Sequence, residues 1–181
     1  MSDGAIETHP VVQWLERILP DTPAAPQIAA AMRQNPTRID TAYVELLDGY
    51  RTDPAQLLTR PSANEPNAYV SDTSTVECLD IPFVSICGHH LLPFFGSVDI
   101  AYVPGATLPG LGKISRLVKC RSRRLQFQEH LVRELAEDLT THSGVRAVRA
   151  TAIATHMCVC HRGPASLGVR HRTTYVVGDL L

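Results

Sequence analysis

Two short stretches carry side chains able to hold a metal ion. Cys87-Gly88-His89-His90 and, far downstream, His156-Met157-Cys158 offer thiolates and imidazoles, the ligand set that a borderline-soft ion such as zinc prefers. A Cys and a His three positions apart reach one ion where the backbone turns, and a third ligand from a distant strand closes a three-ligand site. Structural zinc sites fill all four positions with protein, whereas catalytic ones leave one open for water. The pattern therefore points to a catalytic metal site. The plainer alternative is a set of buried cysteines acting as small hydrophobes beside polar loop histidines.

A chain of 181 residues reads as one domain with an N-terminal extension, long enough to bury its own core. The formal charge is −1 and the 17 Lys and Arg form no single block, so no nucleic-acid tail is expected. Five cysteines are too few for a disulfide scaffold. There is no basic-then-apolar leader and no apolar run of membrane length. The expectation is a reducing cytoplasm, where thiolates stay free for metal.

The elements that must position these residues follow from periodicity. Residues 1–10 are polar and expected to be loose. Val11, Val12, Leu15, Ile18 and Leu19 recur at helical spacing until Pro20, and Pro23 to Gln34 forms a second, Ala-rich helix. Asn35-Pro36 starts a third, with Asn35 as N-cap and a stripe of Ile39, Tyr43, Leu46 and Leu47 expected to pack. Residues 51–70, with Pro54, Pro61 and Pro66, read as loop. Asp72 to Cys87 and Phe95 to Val103 read as strands, so Cys87 and His90 fall at a strand end and in the turn that follows.

Lys113 and Arg116 sit three apart in the first turn of a short helix, where cations oppose the helix dipole. That placement hints that both face an anion. Leu125 to Thr141 is the best helix, with Leu125, Leu131, Leu135 and Leu139 as its apolar positions and Gln128 and Glu129 in its first turns. Gly144 ends it. Val145 to Thr155 and Arg172 to Val177 are the last strands. The order predicts an α+β fold with an antiparallel sheet.

With these pieces in order, the chain resembles GTP cyclohydrolase I. The resemblance rests on Asn35-Pro36-Thr37-Arg38 with Ala42-Tyr43-x-Glu45-Leu46-Leu47-x-Gly49-Tyr50, Cys87-x-His89-His90-Leu91-x-Pro93-Phe94-x-Gly96, Gly110-Leu111-x-Lys113-Ile114-x-Arg116, Ser122-Arg123-Arg124-Leu125-Gln126-x-Gln128-Glu129, and Thr155-His156-Met157-Cys158 with Arg162-Gly163. It implies zinc held by Cys87, His90 and Cys158. Cys158 and Cys160 would share one face of a strand, and the motif selects Cys158. It further implies a water activated by the metal for attack at C8 of the purine, with His89 and His156 as acid and base groups.

Glu129, with Gln128 beside it, would take the guanine edge. Lys113, Arg116 and Arg162, joined by Arg38 from a neighbouring subunit, would hold the triphosphate. The implied reaction opens the imidazole ring of GTP, releases formate and closes to 7,8-dihydroneopterin triphosphate, at the head of pterin and tetrahydrofolate supply. The implied fold is the tunnelling fold, with residues 1–70 as a helical extension and loop and residues 71–181 as the catalytic domain. The implied assembly is a decamer with sites between subunits, and no nucleic-acid or membrane partner.

Three departures from the family pattern stand out. Gly88 replaces a Glu, Gly112 replaces a Ser associated with ribose opening, and Pro164 to Arg172 lacks a Ser/Thr run. Two further readings follow from them. One is an enzyme that stops at a ring-opened formamidopyrimidine or takes a GTP variant. The other is a catalytically silent subunit that binds a purine or pterin. Arg170, His171 and Arg172 are candidates to replace lost phosphate contacts.

Overall fold

The computed structural model describes residues 9–19, 25–59, 64–66 and 74–179. Expectations for residues 1–8, for Pro23, for 60–63 and 67–70 of the expected loop and for 72–73 lie outside them. The chain forms two compact units that divide between Glu45 and Leu46.

The smaller unit is helical. α1 (Pro10–Ile18) has proline at its first position, where a missing N–H costs nothing, and His9 Nδ1 accepts the Val11 N–H at 3.2 Å. α2 (Ala25–Gln34) packs on α1, with Val12 and Ala29 fully buried and Arg33 paired with Glu16. α3 (Thr37–Leu46) follows Asn35-Pro36 as expected, although the Asn35 side chain accepts from the Thr37 hydroxyl (3.0 Å). The expected packing of its apolar stripe is not seen among the described residues of this unit. α3 buries no residue, and Tyr43, Val44 and Leu46 are exposed.

The larger unit opens with a 3-10 turn (Asp48–Arg51) and α4 (Pro54–Thr59), where the prolines had pointed to loop. Pro54 starts the helix because Asp53 precedes it and caps it, Oδ1 accepting the Ala55 N–H at 3.0 Å. β1 (Asn64–Pro66) pairs with β4 (Thr107–Pro109). The main sheet has the order β5-β2-β3-β6-β7, built from β2 (Val76–Cys87), β3 (Pro93–Val103), β5 (Leu125–Gln126), β6 (Ala147–His156) and β7 (His171–Val177). All pairs are antiparallel except β2–β5, which is parallel at Ile86/Leu125 and Cys87/Gln126.

α5 (Leu111–Ser122) packs on β2, and α6 (Gln128–Ser143) packs on β6 and β7. Leu117, Leu131, Leu135 and Leu139 enter the core completely, together with Phe94, Val98 and Ile100 of β3. Ala150, Ala152 and Ala154 face them from β6, also fully buried, and such small side chains let α6 lie close to the sheet. α6 starts three residues later than expected. Leu125 pairs with β2 instead and stays 39% exposed, since a strand end open to pairing outweighs helical propensity. Gly144 closes α6 in the left-handed conformation (φ 71°).

The β2 ladder shifts register between Cys78 and Ile81, where Asp80 has φ 53° and gives its N–H to Asp99 Oδ1 at 2.8 Å. Pro82 is tolerated because β5 covers only Ile86 and Cys87 of the outer edge of β2. No helix among the described residues is long and apolar enough to cross a membrane.

Gly96 marks the tightest point of the β3–β6 contact, since a Cβ there would lie 1.9 Å from the Ile153 carbonyl oxygen. Backbone cannot yield as a side chain does, so Gly96→Ala is expected to cost about 2 kcal/mol or more. A lowered urea midpoint reads this out. Gly112→Ala, whose Cβ meets nothing within 4 Å, should show no such loss.

Candidate metal centre and active site

Because β2 and β6 are both antiparallel to β3, their last residues lie at the same end of the sheet. Cys87 ends β2 and His156 ends β6. β5 runs parallel to β2 and leads into α6, which puts Gln128 and Glu129 at that end. β7 begins there with His171.

The turn after β2 is closed by backbone bonds. Cys87 N–H reaches Leu92 O at 2.8 Å, Leu91 N–H reaches Cys87 O at 2.9 Å, and Gly88 N–H reaches Gln126 O at 3.1 Å. The turn brings both imidazoles to the cysteine: His89 Nδ1 and His90 Nδ1 lie 4.0 and 3.9 Å from Cys87 Sγ. Of the two, His90 joins Cys87 and Cys158 in a group whose ligand atoms all lie within 4.8 Å of one another. Cys158 arrives by a different route from the one expected. The chain leaves β6 for a single helical turn, α7 (Met157–Cys160), so Cys158 and Cys160 do not share a face as they would on a strand.

The three residues fit a metal ion. Tetrahedral bonds to sulfur and nitrogen set donors roughly 3.5 Å apart, close to the 3.9 Å between Cys87 Sγ and His90 Nδ1. Burial, and then the neighbouring Cys87 thiol, raise the pKa of Cys158. A divalent cation removes that penalty by stabilising both thiolates. Cys87 and Cys158 are buried while His90 is exposed, so the group is walled on one side and open on the other.

Gln128 is buried and uses its whole amide. Nε2 donates to Ala152 O (3.0 Å) and His171 O (2.9 Å), and Oε1 faces His156 Nε2 at 2.8 Å. Two carbonyl acceptors orient the amide, and its oxygen can only accept. The proton of neutral His156 is therefore on Nε2, leaving the Nδ1 lone pair free. The imidazole also stacks on Phe94, with centroids 4.6 Å apart and planes within 5°. Burial lowers the His156 pKa, His171 pushes it the same way, and Glu129 opposes them. Gln128, read from the sequence beside Glu129 at the guanine, is in the structure the partner of His156.

Glu129 is exposed in the first turn of α6, where the dipole favours a carboxylate. Arg116 is exposed on α5 and Arg162 in the turn after α7, while Arg38 is exposed in α3 of the smaller unit. Lys113 differs from its expected posture. It is 4% exposed and its Nζ donates to Leu58 O at 2.7 Å, so it does not share an open face with Arg116.

Strand alternation also separates His171 from Arg172. The His171 ring stands edge-on to His156 at 5.4 Å, whereas Arg172 lines a shallow pocket with Glu77, Asp99, Arg149 and Thr174. Phe127 and the ring contacts of Phe94 and His171 escaped the sequence reading, because side-chain contacts between distant elements are not encoded in local spacing.

Cys158→Ala should purify with almost no bound metal by elemental analysis, since one ligand of three is lost. Gln128→Met leaves two backbone carbonyls and the His156 N–H without their partner, so a stability loss of about 1–3 kcal/mol is expected. In wild-type protein, ¹⁵N spectra of His156 should show a single Nε2–H tautomer. The Met variant should show a mixture, and an unchanged spectrum would contradict the assignment.

Residues 13–181 match the GTP cyclohydrolase I family. The chain is 41% identical over 148 residues to GTP cyclohydrolase 1 of Campylobacter lari, covering 82% of this chain and 75% of that one. It is 37% identical over 149 residues to GTP cyclohydrolase 1 of Nitrosospira multiformis, covering 82% and 76%. The corresponding Chlorobaculum tepidum protein is 36% identical over 146 residues, covering 81% and 63%. With a match that runs from α1 to the last residue and takes in every element converging on the site, the chain belongs to the GTP cyclohydrolase I family, and its sheet with α5 and α6 is a tunnelling fold.

Proposed function

We propose that this protein opens the imidazole ring of GTP at C8 with zinc held by Cys87, His90 and Cys158, releases formate and forms 7,8-dihydroneopterin triphosphate. One observation carries the reading: an open three-ligand group at the same sheet end as an imidazole whose tautomer is set by a buried amide. Two thiolates and an imidazole suit zinc better than harder ions. A zinc ion held there supplies Lewis acidity that makes water nucleophilic near neutral pH.

The chain's own residues do the rest. His156 offers Nδ1 for proton transfer, and burial keeps it neutral and ready to accept. His89, beside Cys87, is the second acid–base group. The Glu129 carboxylate accepts the two N–H groups of the guanine edge, which adenine does not present. Arg116 and Arg162 are exposed cations for the triphosphate, with Arg38 contributed by a neighbouring subunit. Lys113 joins them by leaving the Leu58 carbonyl.

The proposed assembly is a homo-oligomer, a decamer by resemblance, with sites between subunits. The outer edge of β2 before Ile86, which no strand among the described residues pairs, with Leu79 62% and Val84 53% exposed, supports it, because open edges template strand pairing. A reducing cytoplasm suits the free cysteines, and the product's chemistry places the reaction in pterin and folate supply.

Gly112 favours one second reading, in which the reaction stops at a ring-opened product. It stands where the family pattern has a hydroxyl, and a side chain there would meet nothing within 4 Å. Gly112→Ser is thus accommodated and should raise the pterin share of products; an unchanged ratio removes this reading.

The direct test is zinc-loaded protein incubated with GTP. Formate together with a pterin that fluoresces after oxidation is the expected outcome, and no consumption of GTP sinks the proposal. Glu129→Gln should lower kcat/KM for GTP about 10- to 100-fold, the worth of one charge-assisted contact. Its zinc content should be unchanged.

A further inference from the structure

Gly88 and Phe127 compete for one space. A Cβ on Gly88 would lie 3.0 Å from Phe127 Cζ and 3.1 Å from Cε1, closer than side chains normally approach. The ring that fills this space rests on the His89 imidazole, with centroids 4.5 Å apart and 46° between planes, and meets the edge of His130 at 5.2 Å. Its backbone is well anchored. Phe127 N–H donates to Gln126 Oε1 at 3.0 Å, Gln126 Nε2 donates to Glu134 at 2.9 Å, and the Gln126 carbonyl takes the Gly88 N–H at 3.1 Å.

His89 is exposed in the turn. Its ring meets Phe127, His90 at 5.9 Å and the Cys87 sulfur at 4.0 Å. A hydrogen bond that fixed this rotamer would occupy a ring nitrogen. A phenyl face biases the rotamer and leaves the nitrogens for proton exchange.

We propose that Phe127 is the positioning residue for His89, and that the bare Cα of Gly88 is what admits it, so that the two positions act as one unit. The functional half of this inference rests on the proton-transfer role given to His89 above. The geometric half does not.

The test uses full-length, zinc-loaded protein, with metal content measured in each variant. Wild type, Phe127→Leu, Gly88→Ala and the double variant are compared for kcat and KM with GTP, and histidine-labelled protein is followed by NMR. Phe127→Leu is expected to lower kcat about tenfold with KM within about twofold, as for a misplaced group rather than lost binding. Gly88→Ala should do likewise when Phe127 is present, yet add less than about twofold in the Phe127→Leu background.

The His89 ring protons, assigned with His89→Asn, should sit upfield under the Phe127 ring current and shift in both single variants. Multiplicative effects of the two substitutions, or His89 signals that do not move, overturn the proposal. If wild type fails to consume GTP, the functional reading falls. The NMR result then decides the positioning claim alone, by whether the His89 signals move.

Discussion

The pairing of β3 with β2 on one flank and β6 on the other is the constraint from which the site follows. Two strands antiparallel to a common neighbour must end on the same side, so Cys87 and the turn into Cys158 emerge together although 71 positions separate them in sequence. Phe94, opposite His156 in the ladder, is the hinge of this arrangement. Its side chain lies in the core, and its ring is the platform on which His156 stacks. Gly96, two residues on, lets the strands approach at a point where any side chain would strike backbone.

Gln128 converts that framework into a specific proton arrangement. A buried amide is costly unless every group is used, and here both its donor and its acceptor ends are occupied, tying α6 to β6, β7 and His156 at once. Phe127, one residue earlier, extends the same helix start to His89 through ring contact. The first turn of α6 thus reaches both histidines on which the proposed chemistry depends, one by a hydrogen bond and the other by an aromatic face. Two modes suit two settings, since the half-buried His156 benefits from a fixed tautomer while the exposed His89 needs only a fixed orientation.

Away from the site, charge is handled by pairing and burial. Arg121 makes two short hydrogen bonds to Asp138, at 2.6 and 2.7 Å, that join α5 to α6. Among the described residues, β2 and α3 leave apolar side chains exposed, the kind of surface the proposed assembly would cover.

The residue types by themselves pointed to a metal site, and the ordered motifs identified the family. Cys87 and His90 were legible because ligand type and turn position are local properties, while the choice of Cys158 over Cys160 came from the family motif. The period-2 pattern of β3 and β6 was also legible as a local property. Only the tertiary structure decided which residues those elements bring together. Leu125 left the helix its spacing suggested because a strand end was available to pair with it. Lys113 turned inward although its spacing to Arg116 suggested a shared face. Gln128 became the partner of His156, and His171 parted from Arg172. Each of these depends on which side of a strand or helix another element covers, a long-range property set by packing and pairing that no local window of sequence contains.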